Sequence, residues 1–187
     1  MLRCSIEELR ARILPIVGIV HNFPKTTNKG EVGLWLETKT GIPHSPACLD
    51  CSDGELKTFP LKKSRGSLVP KETLAVTMLS TDSLKIHSYE ESRCCKKMER
   101  LLCVPYLREG DTILFYEPTL VCATTHKHLF DTVKNDYEKI RSQYIESGTL
   151  TSSVGDFLQN RTKGPGGNAP KTRAFYLKKE FLKKILV

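Results

Sequence analysis

The run Asp50-Cys51-Ser52-Asp53-Gly54-Glu55-Leu56-Lys57 gathers carboxylates and an ammonium within a very short stretch of chain. If Glu55 to Phe59 is a strand, its period of two sets Glu55 and Lys57 on one face and Leu56 on the other, and a chain reversal at Asp53-Gly54 brings Asp50 alongside. Carboxylates held that close repel unless a cation lies between them. Mg²⁺ takes one or two protein carboxylates and completes its shell with water and phosphate oxygens. The chemistry this implies is metal-assisted attack of water on a phosphodiester, with Lys57 orienting the water or stabilising the transition state. Acid-x-Lys on a strand also has a plainer reading, a charged hairpin edge that discourages pairing with other edges.

The flanking sequence supplies elements to position these groups. Lys29-Gly30-Glu31-Val32-Gly33-Leu34-Trp35-Leu36-Glu37 reads as a helix with Val32, Trp35 and Leu36 on one face and a stop at Gly41 and Pro43. Glu37 falls on its last turns, where a third carboxylate could reach the same metal from a neighbouring element. Ser5-Ile6-Glu7-Glu8 is a capping-box start for a helix carrying Leu9, Ile13 and Ile16, with Pro15 kinking or ending it. Thr73 to Leu79 suits a buried strand, Tyr89 to Arg100 a charged helix, Leu101 to Leu107 a short strand, and Thr112 to Tyr116 a strand after the turn Glu109-Gly110-Asp111. Leu129, Val133, Tyr137, Ile140 and Tyr144 form the stripe of a long amphipathic helix that Gly148 can end.

Taken together, Lys-Gly-x-x-Gly-x-x-Leu-Glu at 29–37, an Asp, and Glu55-Leu56-Lys57-Thr58 resemble the MutH-like mismatch-repair endonucleases and the restriction enzymes related to them that cut at GATC. Three more blocks follow in the order of that family: Lys96 to Pro105 as a lysine-bearing helix entering a central strand, Phe157 to Lys163, and Ala174-Phe175-Tyr176-Leu177-Lys178-Lys179-Glu180-Phe181. The resemblance implies that Glu37, Asp50, Glu55 and Lys57 are the catalytic and metal-binding set, with Glu37, Asp50 and Glu55 as ligands of Mg²⁺, for which Mn²⁺ substitutes, and Lys97 as a supporting or phosphate-binding lysine. It implies that Arg161, Lys163, Tyr176 and Lys178 contact DNA, Arg161 and Lys163 as base readers. The tyrosine matching Tyr176 senses adenine methylation in the family, and a phenol offers both an apolar face and a hydroxyl for that discrimination. From its own strand Tyr176 reads equally as a core aromatic. In one respect the pattern departs: only Cys51, Ser52, Asp53 and Gly54 separate Asp50 from Glu55, a shorter gap than the family has. Asp53 therefore competes with Asp50 as the metal ligand, although its place beside Gly54 suits a turn.

Composition fits a polyanionic partner. The chain of 187 residues is 39% hydrophobic, enough for a real core, and carries 29 basic against 21 acidic residues for a net charge of +8. From Arg161 onward eight basic residues face only Glu180, and Gly164-Pro165-Gly166-Gly167-Asn168 separates two basic segments with a loop that lets backbone approach phosphates. The seven cysteines include Cys48-x-x-Cys51, half of a zinc knuckle, but no second pair follows and His126-x-His128 is a poor companion, so a structural zinc is not expected. An odd cysteine count, no signal peptide and no long apolar run point to reduced thiols in the cytoplasm and to no membrane.

The expected fold is mixed α/β, a restriction-endonuclease-like central mixed sheet flanked by helices. Residues 1–187 form one nuclease domain, with a catalytic lobe over about 1–147, a basic DNA-reading lobe over about 148–187 and a DNA cleft between them. The expected activity is Mg²⁺-dependent nicking of double-stranded DNA at GATC-like sites to 5′-phosphate and 3′-hydroxyl ends by a monomer or transient dimer. By resemblance, a MutL-like ATPase is an expected partner. The alternatives are a restriction endonuclease that cuts both strands and a DNA-binding module whose site has decayed.

Overall fold

The computed structural model describes residues 3–24, 28, 30–43, 47–163 and 172–186. Lys29, Lys171 and the loop Gly164-Pro165-Gly166-Gly167-Asn168 lie outside them. In chain order the elements are α1 (Ile6–Ile13), β1 (Val20–Asn22), α2 (Glu31–Thr40), β2 (Glu55–Ser64), β3 (Ser67–Pro70), β4 (Leu74–Leu79), α3 (Thr81–Ile86), α4 (Arg93–Met98), β5 (Arg100–Glu109), β6 (Thr112–Phe115), β7 (Thr119–Cys122), α5 (Lys127–Ser147), β8 (Leu158–Lys163), β9 (Thr172–Leu177) and α6 (Lys179–Ile185). They divide into two compact units, one of residues 1–72, 100–121 and 185–187, the other of residues 73–99 and 122–184.

The first unit is built on a mixed sheet in the order β1-β6-β5-β2-β3, with β7 also paired to β5. β2 runs parallel to β5, Glu55 opposite Leu101 and Lys57 opposite Cys103, while β6 and β3 are antiparallel to their neighbours. This is the central mixed sheet with helices that the sequence implies. Alternation along β2 and β5 sends Leu56, Leu102, Val104 and Tyr106 to one face, where they pack with Ile6, Leu9 and Ile13 of α1 and Val32 and Leu36 of α2. The capping box of α1 is complete: Ser5 Oγ accepts from Glu8 N–H, and the Glu8 carboxylate accepts from Ser5 N–H. α2 ends at Gly41, whose N–H closes onto the Glu37 and Thr38 carbonyls. Trp35, half-buried, stacks on Phe115 at 5.6 Å.

The second unit holds the antiparallel sheet β4-β9-β8 with α3, α4, α5 and nearly all of α6. α5 buries Leu129, Val133, Tyr137 and Ile140 and ends at Gly148, as the stripe predicts. It also buries Asp136, which has no solvent exposure and accepts from Phe157 N–H at 2.6 Å and Leu158 N–H at 2.9 Å. That carboxylate pins the start of β8 to α5, so the long helix shares a unit with the C-terminal strands that follow residue 147.

One helix is shorter than the sequence suggests. Instead of running from Tyr89 to Arg100, α4 starts after Ser92, whose Oγ accepts from Cys95 N–H at 3.0 Å, and stops at Met98 so that Arg100 can open β5. Ser92 is a strong N-cap and its hydroxyl donates back to the Tyr89 carbonyl, so Tyr89 to Glu91 form a turn ahead of the helix. Among the described residues no helix is long and apolar enough to cross a membrane.

Candidate active site

Glu55 and Lys57 are the first and third residues of β2, and their side chains meet: Lys57 Nζ lies 2.6 Å from Glu55 Oε1. Glu55 is only 1% exposed, and the Lys57 ammonium faces its carboxylate at hydrogen-bonding distance. The pair shares a face with Phe59, opposite to the Leu56 face on which the helices pack. α2 covers that opposite face, since a β-carbon placed on Gly33 would sit 3.8 Å from Thr58 Oγ1.

Asp50 reaches the same strand end from the preceding turn. Its Oδ2 accepts from Leu56 N–H at 3.0 Å, between the two charged residues of β2. Cys51 N–H closes the turn onto the Gly54 carbonyl at 3.0 Å. Gly54 is packed so tightly that a β-carbon there would come within 2.9 Å of the Arg100 carbonyl and of Ile6 Cγ1. Gly54→Val is expected to lower stability by about 2–3 kcal/mol through forced backbone displacement, read as a urea-unfolding midpoint.

The segment ahead of α1 holds this turn in place. Arg3 Nη1 donates to the Leu49 carbonyl at 2.7 Å, Ser52 N–H to the Cys4 carbonyl at 2.9 Å, and Ile6 N–H to Asp53 Oδ1 at 2.7 Å. Asp53 Oδ2 meets Arg100 Nη1 at 3.2 Å. Asp53 thus spends one oxygen on the first turn of α1 and the other on an arginine, which suits a residue that fixes the turn. No sequence pattern marked this tether, because its partners are far apart in the chain.

Glu37 lies in the last turn of α2, half-buried, with its carbonyl accepting from Ile42 N–H at 2.9 Å. Among the described residues no group of three or more His, Cys, Asp or Glu side chains is spaced to hold a metal, so Glu37, Asp50 and Glu55 are not gathered as a three-acid cage. The donor chemistry still suits Mg²⁺, which needs only one or two protein carboxylates, and Asp50 and Glu55 supply two oxygen donors at one strand end. Lys97 is half-buried on α4, in the second unit.

The other residues singled out in the sequence also lie in the second unit. Arg161 is exposed on β8; its Nη1 donates to Thr73 Oγ1 at 3.0 Å, and its guanidinium lies 5.7 Å over the ring of Tyr176. Tyr176 sits half-buried on β9, opposite Gln159, so its ring is neither a core aromatic nor a loose surface group. Lys163 is exposed at the end of β8, whereas Lys178 is half-buried and donates to the Gly155 carbonyl. Asn160, fully buried, accepts from Arg173 and donates to the Thr151 carbonyl at 2.7 Å, which fixes the strand that carries Arg161.

The family model for the DNA mismatch repair enzyme MutH matches residues 45–141, more than half of the chain. The chain belongs to the MutH family. That match spans Asp50, Glu55, Lys57 and Lys97 and leaves Glu37, Arg161, Lys163, Tyr176 and Lys178 outside it. A MutH relative, the DNA mismatch repair protein MutH of Shewanella woodyi (strain ATCC 51908 / MS32), is 27% identical over 215 aligned positions, which cover 97% of this chain and 91% of that protein. Among solved structures, the restriction endonuclease MvaI in complex with its cognate DNA substrate is similar with a TM-score of 0.48 and 15% identity, over 96% of this chain and 95% of that one.

The surroundings of the thiols in this MutH family member shift them in opposite directions. Cys51 and Cys103 are buried and their thiols are pushed up to about 12, chiefly by desolvation. Cys122, half-buried at the end of β7, is lowered to about 7 by the hydroxyls of Thr124 and Thr125, 2.9 and 3.2 Å from its sulfur. A lowered thiol populates thiolate above its pKa, so alkylation of Cys122 by iodoacetamide is expected to accelerate as pH rises through 7 and then level off, ahead of the other cysteines. Peptide mass spectrometry along a pH series reads this.

Proposed function

We propose that this chain is a Mg²⁺-dependent endonuclease that nicks duplex DNA at GATC-like sites, leaving 5′-phosphate and 3′-hydroxyl ends. The observation that carries the reading is the Glu55–Lys57 pair at the start of β2, with Asp50 bonded to the amide between them, in a member of a family of DNA mismatch repair enzymes. Asp50 and Glu55 would hold the ion, and Glu37 joins them by family pattern alone. When bound, Mg²⁺ supplies Lewis-acid neutralisation of phosphate charge and a more acidic water. Lys57 places a positive charge beside that position and orients the attacking water, and the enclosure of Glu55 keeps the field of the pair strong by excluding solvent.

Arg161 and Lys163, exposed on β8, are the proposed base readers, and Tyr176, held under the Arg161 guanidinium, the proposed contact to adenine. Lys97 and Lys178 are assigned to phosphate. Arg161→Ala is expected to weaken binding to a GATC duplex about 10–100-fold while changing random-sequence binding much less, measured by fluorescence anisotropy at fixed salt. An equal loss on both duplexes makes Arg161 a phosphate contact.

Titrating Mg²⁺ into the purified protein with supercoiled plasmid tests the reading. Nicked circles from GATC plasmid and none from a plasmid without the site support it, and equal cutting of both removes the site preference. Linear product in place of nicked circles identifies a restriction-type enzyme acting on both strands. Tight binding without cutting in Mg²⁺ or Mn²⁺, with or without a MutL-type ATPase, identifies a binding module. The same assay separates the two aspartates: Asp50→Asn is expected to lose cutting with stability retained, Asp53→Asn to lose stability first.

A further inference from the structure

We propose that Cys4 and Cys51 form a redox modification site, a thiol pair that low-molecular-weight disulfides such as glutathione disulfide convert to an intramolecular disulfide tying the segment ahead of α1 to the turn that carries Asp50. The two residues are neighbours across the turn, Cys4 lying near enough to act on the Cys51 thiol. The backbone holds them there: Ser52 N–H and Ser52 Oγ both donate to the Cys4 carbonyl, at 2.9 and 3.2 Å. A bond from the residue after one cysteine to the carbonyl of the other keeps their α-carbons near the span of roughly 4.4–6.8 Å that disulfides use. Neighbouring contacts from Arg3 to Leu49 and from Ile6 to Asp53 fix both sides of the pair.

Exposure sets the order of events. Cys4 is half-buried and Cys51 is fully enclosed, so Cys4 is the thiol that an external disulfide meets. The Cys4 sulfur attacks glutathione disulfide, forming a mixed disulfide and releasing one glutathione thiolate. The Cys51 sulfur then attacks the Cys4 sulfur and releases the second. The two thiol protons pass to the leaving thiolates, and two cysteines are oxidised as one glutathione disulfide becomes two glutathiones. Cys94 and Cys95 adjoin on α4, and the Cys122 sulfur meets the hydroxyls of Thr124 and Thr125.

The test uses the full chain and needs no cleavage activity, so it stands or falls separately from the endonuclease reading. After incubation with glutathione disulfide, remaining thiols are capped with N-ethylmaleimide and tryptic peptides are analysed by mass spectrometry. The expected product is a peptide pair joined through Cys4 and Cys51 that disappears on treatment with dithiothreitol. In Cys4→Ser the cross-link is lost and Cys51 carries no glutathione, whereas in Cys51→Ser, Cys4 stops at the mixed disulfide. Cys51→Ala serves if the serine variant does not fold. Recovery of Cys4 and Cys51 both maleimide-capped in wild-type protein after oxidation overturns the proposal, as does Cys4 joined to Cys48 instead.

Discussion

Replacing Lys57 by alanine is expected to lower the rate of DNA cleavage by at least about 100-fold while leaving duplex binding nearly intact, because the proposed mechanism sets its ammonium where charge develops. The same change is expected to destabilise the first unit by about 3 kcal/mol. Glu55 is 1% exposed, and removing the charge 2.6 Å from its carboxylate leaves the cost of burying that carboxylate uncompensated. The Lys57 side chain retains 22% exposure, which places the effect at the lower end of the range for buried pairs. Plasmid nicking and urea unfolding on the same preparation separate the two effects. The double variant Glu55→Gln, Lys57→Met removes both charges together, so it should recover stability without recovering cutting. Wild-type cutting by Lys57→Ala would reduce the lysine to a structural counter-ion.

Asp136→Ala is expected to cost about 3 kcal/mol, the largest stability loss among single changes in the second unit. Two amides, the buried one of Leu158 and the partly buried one of Phe157, lose their acceptor at once, and each such loss costs about 1–3 kcal/mol when buried. Asp136→Asn keeps one carbonyl acceptor and should cost less than half as much. The nearby Lys139 adds little, being 3.9 Å away and 58% exposed. Because β8 begins at Leu158 and carries Arg161 three residues later, the proposed base-reading role of Arg161 predicts that the alanine variant also loses discrimination between GATC and random duplexes at temperatures below its melting transition. Unchanged midpoint and unchanged discrimination would show that α5 does not set the position of β8.

The sequence made the placement of residues legible where it was local. Glu55 and Lys57 alternate on one strand face by the geometry of any strand, and their contact follows from a spacing of two. The capping box at Ser5, the stop at Gly41 and the Leu129–Ile140 stripe are likewise short-range signals, and the structure shows each of them. What stayed hidden depends on contacts between distant segments. Asp53 reads as a turn residue in sequence, yet its oxygens reach Ile6 and Arg100. Asp136 interrupts no pattern on α5 and still proves fully buried. β1 has three residues and β7 four, too few to show a period, and both exist because β6 and β5 offer them an edge. The relation of Glu37 to the other acids belongs to the same class: periodicity sets it late on a helix, but the face of β2 against which that helix packs is decided by Leu56, Val32 and Leu36 together.

Both units are discontinuous in the gene. β2 finds its parallel neighbour only after the chain has left for residues 73–99 and returned at Arg100, and the first unit is finished by residues 185–187. A nascent chain therefore emerges with the Asp50–Lys57 stretch translated long before the strand that will shelter Glu55 exists. Neither unit is one contiguous stretch of chain, so recombination that exchanged the second unit between relatives would have to transplant two separate segments at once, and any single crossover between residues 73 and 184 would leave the first unit hybrid.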